Sequence, residues 1–247
     1  MLPQDGVREK KIKAHNNLIE AAYIRFYYNF KNKSNIMESS EIISSLNSFS
    51  SVKIIKAAKK LRKLPFKGAC THLLEAYKRE SNSNSWETQA EIIVTSGILL
   101  CNDFIPYLET ICQKNEPHSA VTTVAGCSYL RIKRNSLTDV TPILKYIGNI
   151  NYSLGKGFLF ALGLDKMIPN DNDQKILISE FHDFGKDRNP LYSDPRYGLA
   201  AACAGWTNSK VDDFLHHCIK TGDRYLINVA ESALKGEYVK KHIYGIY

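Results

Sequence analysis

The sequence has no apolar stretch long enough to cross a membrane. Its longest such segment, residues 92–101, is far shorter than the roughly 20 residues that a transmembrane helix needs. The amino terminus lacks the apolar core of a secretory signal peptide, and none of the six cysteines forms a Cys-x-x-Cys pair. These absences predict a cytoplasmic chain without membrane contacts, whose cysteines are buried, reduced thiols rather than disulfides or zinc ligands.

Motifs of the common enzyme classes are missing as well. There is no Gly-x-Ser-x-Gly nucleophile motif and no Gly-x-Gly-x-x-Gly after a strand pattern, and Gly155-Lys-Gly lacks the glycine spacing of a phosphate loop. Adjacent carboxylates such as Asp212 and Asp213 diverge on a helix and are no catalytic pair by themselves. We therefore predict a protein that is not an enzyme and uses no cofactor.

Helical periodicity recurs along the whole chain, whereas the alternating pattern of strands is scarce. From residue 85 onwards the helices fall into pairs, and one helix of each pair carries small residues that allow its neighbours to pack closely. These helices are predicted to begin near Ser85, Glu116, Asn151, Asp194 and Gly222. The pattern predicts a single all-α domain over residues 1–247, an α/α superhelix of stacked antiparallel helix pairs over residues 51–247, with residues 1–50 as an N-terminal helical cap.

Three segments resemble the first helix of a HEAT repeat. Residues 194–206 have an Asp-Pro start, an Arg and an alanine-rich run, with Asp194 as the capping residue. Residues 223–234 look like a second copy without the proline, and residues 116–126 are a weaker third. The resemblance extends over about residues 52–242 and implies a HEAT-like solenoid. Another all-α arrangement is the alternative.

Positive charge is concentrated in the N-terminal third. Residues 1–80 hold 16 Lys and Arg against 7 Asp and Glu, whereas residues 81–247 hold 17 against 18. On one predicted helix, four lysines form a stripe that residues 131–134 would extend if the superhelix curved suitably. Such a stripe is either a solvated face or an anion-binding surface for nucleic acid or an acidic protein. The stripe consists of Lys53, Lys56, Lys60 and Lys63.

One segment suggests metal chemistry. Residues 181–186, Phe-His-Asp-Phe-Gly-Lys, resemble the His-Asp signature of HD-type metal phosphohydrolases, in which adjacent His and Asp bind a divalent metal. That family has a further histidine upstream, but residues 119–181 contain none. His216 and His217 point about 100° apart on a helix and are not expected to share an ion. An ordinary helix end capped by Gly185 is therefore favoured, and no metal site is predicted.

Small HEAT-like chains resemble bacterial immunity proteins, which bind and neutralise a cognate toxin, often a nuclease, as in contact-dependent growth inhibition. The resemblance implies a protein partner, a toxin domain. Because nuclease toxins are commonly basic, the binding face is expected in the nearly neutral C-terminal two thirds, unless the toxin is acidic. The alternatives are a nucleic-acid-binding HEAT-like protein or DNA glycosylase that uses the basic N-terminal third, and the HD-type phosphohydrolase. The candidate binding residues are Asp183, Asp187, Asp212, Asp213, His216 and Glu231.

Overall fold

The computed structural model describes residues 36–83, 85–184 and 194–239. Within these ranges the chain forms twelve α-helices, two 3-10 turns and no strand, which confirms the predicted all-α fold. The helices are α1 (Ile36–Leu46), α2 (Ser51–Lys63), α3 (Ala69–Glu80), α4 (Trp86–Ile98), α5 (Ile105–Lys114), α6 (Ala120–Lys133), α7 (Thr141–Leu144), α8 (Tyr152–Leu164), α9 (Asp171–Phe181), α10 (Tyr197–Ala202), α11 (Ser209–Thr221) and α12 (Arg224–Leu234).

The helices alternate between two layers. The even-numbered helices form a continuous row, in which α2 packs on α4, α4 on α6, α6 on α8, α8 on α10 and α10 on α12. The odd-numbered helices lie beside this row, with α1 against α2, α3 against α4, α5 against α6 and α11 against α12. Contacts therefore follow the order of the helix pairs along the chain. The resemblance to HEAT repeats stays a prediction.

Glycines allow the even-numbered row to pack closely. A Cβ atom on Gly157 of α8 would overlap the carbonyl oxygen of Thr123 on α6, and one on Gly198 of α10 would overlap the carbonyl oxygen of Leu159 on α8. Backbone meets backbone at both contacts, so no side-chain rotation could make room. The small residues at helical spacing in the sequence thus mark the faces on which these helices stack.

Side-chain hydrogen bonds join neighbouring pairs at a regular separation in the sequence. Many of these bonds link residues 33 to 35 positions apart. A period of about 34 residues, the length of one helix pair, therefore recurs in these contacts. Examples are Ser51 with Ser85, Arg62 with Thr95, Ser119 with Ser153, Ser128 with the Ile93 carbonyl, and Asn208 with Gln174.

The prediction that all cysteines are reduced is wrong for one pair. Cys70 of α3 and Cys101, which follows α4, form a disulfide with their Cα atoms 5.4 Å apart. Periodicity identifies a buried cysteine, but it does not show which cysteines of two different helices meet. The other four cysteines are buried free thiols, as expected.

One helix start also differs from expectation. The helix expected near Glu116 begins at Ala120, because the Ser119 side chain caps it by accepting a hydrogen bond from the Thr122 amide. None of the helices in the described ranges combines the length and the apolar character that crossing a membrane requires.

Candidate functional site

Two helices bring together a cluster of two histidines and one aspartate. Helix α9 ends at Phe181, and His182 and Asp183 lie in the turn that follows it, whereas His217 lies on α11. The Oδ1 atom of Asp183 is 3.4 Å from Nδ1 of His182 and 3.3 Å from Nε2 of His217. The two imidazole rings stack with their centroids 3.9 Å apart. We refer to His182, Asp183 and His217 as the His-Asp-His cluster.

A buried ion pair holds the two parts of this cluster in place. Arg196 donates from Nε and Nη2 to the two carboxylate oxygens of Asp194, over 3.0 and 2.7 Å. Its Nη1 atom donates to the carbonyl oxygen of His182, over 3.4 Å, and to the hydroxyl of Thr221, over 3.1 Å. Arg196 therefore connects the end of α9 to the end of α11. Asp194, expected to cap a helix, accepts a hydrogen bond from the Arg196 amide, but its main partner is the guanidinium.

Aromatic packing fixes the turn that carries His182 and Asp183. The Phe184 ring packs edge-on against Phe181, with centroids 4.9 Å apart. It also occupies the space that a Cβ atom on Gly155 of α8 would fill. The Asp183 side chain remains 61% exposed, so the cluster opens to solvent.

Burial shifts the pKa of one cluster member. It lowers the pKa of His217, and the neighbouring His182 and Arg196 lower it further, whereas Asp183 raises it. The net effect is a pKa below the ordinary value.

The cluster is a potential metal-binding arrangement that sequence reasoning missed. One ligand atom from each of His182, Asp183 and His217 lies within 4.8 Å of the other two. The sequence showed no third ligand for the His-Asp pair, because the HD-type pattern places a further histidine upstream of it. The fold instead brings in His217, which lies downstream of the pair. The signal that could have found His217 is the repeat period, since it lies about one repeat after His182.

The residue chosen from the sequence, His216, lies on a different face of α11. Its Nδ1 atom bonds the backbone carbonyl oxygen of Asp212, 2.7 Å away and one turn earlier. The expectation that His216 and His217 do not share an ion agrees with this geometry.

The predicted acidic surface is only partly assembled in one place. Asp212, Asp213 and His216 are exposed on α11, the helix whose His217 contacts Asp183, whereas Glu231 is exposed on α12. Neither Asp212 nor Asp213 forms an ion pair with another residue in the described ranges. Asp187 lies outside those ranges. The binding role of this set stays a prediction.

The lysine stripe forms on α2, but it is shorter than expected. Lys53, Lys56 and Lys63 are exposed, and Lys60 is half-buried and pairs with Glu41 over 3.0 Å. The expected extension through residues 131–134 is wrong, because Arg131 and Arg134 turn inward and bind the carboxylate of Asp165.

Large apolar side chains are exposed beside this stripe. Phe49 is 96% exposed, Val52 61% and Trp86 52%. They lie near the amino-terminal ends of α2 and α4, which the hydroxyls of Ser51 and Ser85 join over 3.3 Å. We refer to Phe49, Val52 and Trp86 as the apolar patch.

A cavity of about 560 Å³ lies between α5, α6 and α7. Glu109 and Lys145 line it and form an ion pair with each other. Hydrogen bonding from Lys145 lowers the pKa of Glu109 and, in turn, raises that of Lys145. Glu109 and Lys145 thus neutralise each other, and Lys133 adds one further positive charge to the lining.

No protein-family model matches this chain, and neither a curated protein nor a solved structure matches it. Its function is therefore inferred from the surfaces and the cluster that its own residues form.

Proposed function

We propose that this chain is a non-enzymatic protein-binding module, and specifically an immunity protein that binds and neutralises a bacterial toxin domain. The apolar patch carries this proposal. Monomeric proteins rarely expose neighbouring large apolar side chains unless a partner covers them. Aromatic residues such as Phe49 and Trp86 also contribute most to the affinity of protein interfaces when they are buried in a partner.

The surroundings of the apolar patch indicate the chemistry of the partner. Lys56 lies one helical turn after Val52, and Lys53 is its immediate neighbour, so positive charge borders the apolar side chains. A matching surface would have an apolar cleft with carboxylates at its rim. This supports the acidic-toxin alternative over the basic nuclease. The acidic face of α11 has exposed charge but no exposed large apolar side chain, so it is the weaker candidate.

Co-expression with the products of the neighbouring genes tests the proposal. A stable complex is expected, in which the toxin loses its activity. The double substitution Phe49→Ser/Trp86→Ser should weaken binding at least about 30-fold, the effect of losing one interface hot spot. Tyr225→Ser is the matched control, because Tyr225 is an aromatic residue that is 66% exposed on α12, away from the patch.

The outcomes separate the possible surfaces. The acidic face of α11 is the interface if the Phe49→Ser/Trp86→Ser protein binds the toxin as tightly as the wild type while the Asp212→Lys/Asp213→Lys protein binds it more weakly. Glu75→Lys/Asp103→Lys makes the same change in net charge at two exposed sites that lie outside both surfaces and controls for it. Absence of binding to every product of the neighbouring genes would contradict the immunity proposal.

The exposed lysines of α2 favour one second candidate, nucleic-acid binding. Phosphate contacts are strongest at low salt, so duplex DNA and RNA should be titrated at about 50 mM salt. Binding that Lys53→Glu/Lys56→Glu abolishes would support this candidate. Without measurable affinity under these conditions, the candidate is rejected.

We place the protein in the cytoplasm as part of the same proposal, since an immunity protein has to meet its toxin there. The Cys70–Cys101 disulfide bears on this point because disulfides are typical of oxidising compartments. Trapping free thiols in intact cells with a maleimide tests the location. Reduced Cys70 and Cys101 in the cell would support a cytoplasmic location, whereas a disulfide already complete before lysis would contradict it.

A further inference from the structure

We propose that the His-Asp-His cluster binds a divalent transition metal ion of the Zn²⁺ class, through one nitrogen each of His182 and His217 and one carboxylate oxygen of Asp183. This site is separate from the apolar patch, and it goes beyond the protein-binding role.

The distances within the cluster suit a bound ion. Zinc binds imidazole nitrogen and carboxylate oxygen at about 2.0–2.2 Å, so two ligand atoms of a tetrahedral site are about 3.4 Å apart. Asp183 Oδ1 is 3.4 Å from one imidazole nitrogen and 3.3 Å from the other. Two edges of a zinc coordination tetrahedron are therefore already present. The third, between the two histidines, is within 4.8 Å, so it is the edge that has to shorten when an ion binds.

The chemistry of the ligand atoms selects the class of metal. Two nitrogens and one oxygen suit Zn²⁺, Co²⁺, Ni²⁺ or Cu²⁺, whereas Mg²⁺ and Ca²⁺ prefer sites built entirely from oxygen. Three protein ligands leave at least one position open to water or to a group on another molecule. Since the Asp183 side chain is 61% exposed, that position is open to solvent and the ion can exchange.

The supporting contacts keep the three ligands near their binding positions. Arg196 bonds the His182 carbonyl and the Thr221 hydroxyl, and thereby holds the two ligand-bearing segments at a fixed distance. Asp194 fixes the guanidinium in turn and compensates its positive charge, which would otherwise repel a cation. Phe214 packs against the His182 ring, with centroids 6.3 Å apart, and limits its rotation. A site that is held in this way needs little rearrangement on binding.

Titration of the chain with metal tests the proposal. The protein is purified without an affinity tag, stripped with a chelator and titrated with ZnCl₂ and CoCl₂ by calorimetry and visible absorption. We expect one ion per chain that is displaced by chelator, the visible bands of nitrogen- and oxygen-ligated Co²⁺, and no saturable binding of Mg²⁺ or Ca²⁺.

The α11 helix offers a closely matched control. His217→Ala should lower the affinity for Zn²⁺ at least about 100-fold, because even losing a residue that supports a ligand costs about 10- to 100-fold. His216→Ala removes the adjacent histidine of the same helix and should leave the affinity unchanged. The same comparison applies to the carboxylate ligand. Asp183→Asn should lower the affinity for Zn²⁺, and Asp213→Asn, its control, should leave the affinity unchanged.

The remaining outcomes are also decisive. Lack of saturable Zn²⁺ and Co²⁺ binding by the wild type overturns the proposal, and so does an equal loss in the His216→Ala and His217→Ala proteins. Circular dichroism and melting curves show whether each variant is folded. The Phe49→Ser/Trp86→Ser protein should bind metal like the wild type, so failure of the metal proposal and failure of the partner proposal are distinguishable.

Discussion

The buried ion cluster between α6 and α8 makes Asp165→Asn an informative test of stability. Asp165 is the residue that follows α8, and its carboxylate oxygens accept hydrogen bonds from Nε and Nη2 of Arg131, over 2.9 and 2.7 Å. The Nη1 atom of Arg134 lies 2.8 Å from the same carboxylate. The three side chains are between 10% and 17% exposed. An asparagine has almost the same shape but would leave two guanidinium groups beside an uncharged amide.

The expected loss is about 3 kcal/mol. Removing one partner of a buried ion pair costs about 3–5 kcal/mol, and we expect the lower end because some water reaches all three side chains. In a domain of this size 1 kcal/mol changes Tm by about 2–4 °C, so Tm should fall by about 6–12 °C. Urea and thermal unfolding followed by circular dichroism measure both. Asp213→Asn removes the same charge at an exposed site and should change the free energy of unfolding by less than about 0.5 kcal/mol.

The dependence on pH tests the cause of this loss. Burial alone would raise the pKa of Asp165, but the charges and hydrogen bonds of Arg131 and Arg134 outweigh it and hold the pKa below its ordinary value of 3.8. A carboxyl group whose pKa is lower in the folded protein stabilises it fully above the unfolded pKa, and this stabilisation is lost as the pH falls through the folded pKa. The difference between wild type and Asp165→Asn should therefore be constant from about pH 5 to 8 and shrink only below 3.8.

Two results would refute this reasoning. If Asp165→Asn is no less stable than Asp213→Asn at pH 7, the ion cluster contributes nothing that a neutral hydrogen bond cannot replace. If the variant is less stable but the difference does not shrink at acid pH, the loss comes from altered packing and not from the charge.

Two further predictions concern the contacts between neighbouring pairs. Gly198→Ala should lower the free energy of unfolding by about 1–3 kcal/mol, because the added methyl group overlaps the Leu159 carbonyl. Urea unfolding measures this loss, and an unchanged free energy would contradict the close contact between α8 and α10. Cys101→Ser should lower the free energy of unfolding by about 3–4 kcal/mol in oxidising buffer, because it removes the disulfide to Cys70 that closes a loop of 31 residues. In dithiothreitol the loss should be much smaller, and equal losses in both buffers would contradict a stabilising disulfide.

Local signals in the sequence predicted several helix starts correctly. Ser85 and Asn151 stand directly before α4 and α8, and the Asn151 side chain accepts a hydrogen bond from the Leu154 amide. The helix predicted to start near Gly222 is α12, and Asp223 caps it through the amides of Tyr225 and Leu226. A cap involves residues at most three positions apart, so composition alone contains the information. The faces on which helices stack were predictable for the same reason, since small residues recur at helical spacing.

Contacts between helices could not be predicted in this way. The inward turn of Arg131 depends on Asp165, which lies 34 positions later, and the third member of the His-Asp-His cluster lies on another helix pair. Without a repeat length, every acidic residue is an equally plausible partner for every arginine. Once the period of about 34 residues is known, the equivalent residue of the next pair becomes the first partner to consider.

The repeat also limits how far a local change can spread. Each helix pair contacts mainly the pairs before and after it, so its stability depends mostly on itself and its neighbours. The apolar patch lies near the amino-terminal ends of α2 and α4, whereas the His-Asp-His cluster lies in the turn after α9 and on α11, with α6 and α8 between them. A partner on the patch and a metal ion in the cluster should therefore bind independently unless the whole row shifts. Measuring Zn²⁺ affinity with and without the bound partner tests this, because an affinity that changes more than about threefold would mean that the intervening helices transmit a rearrangement.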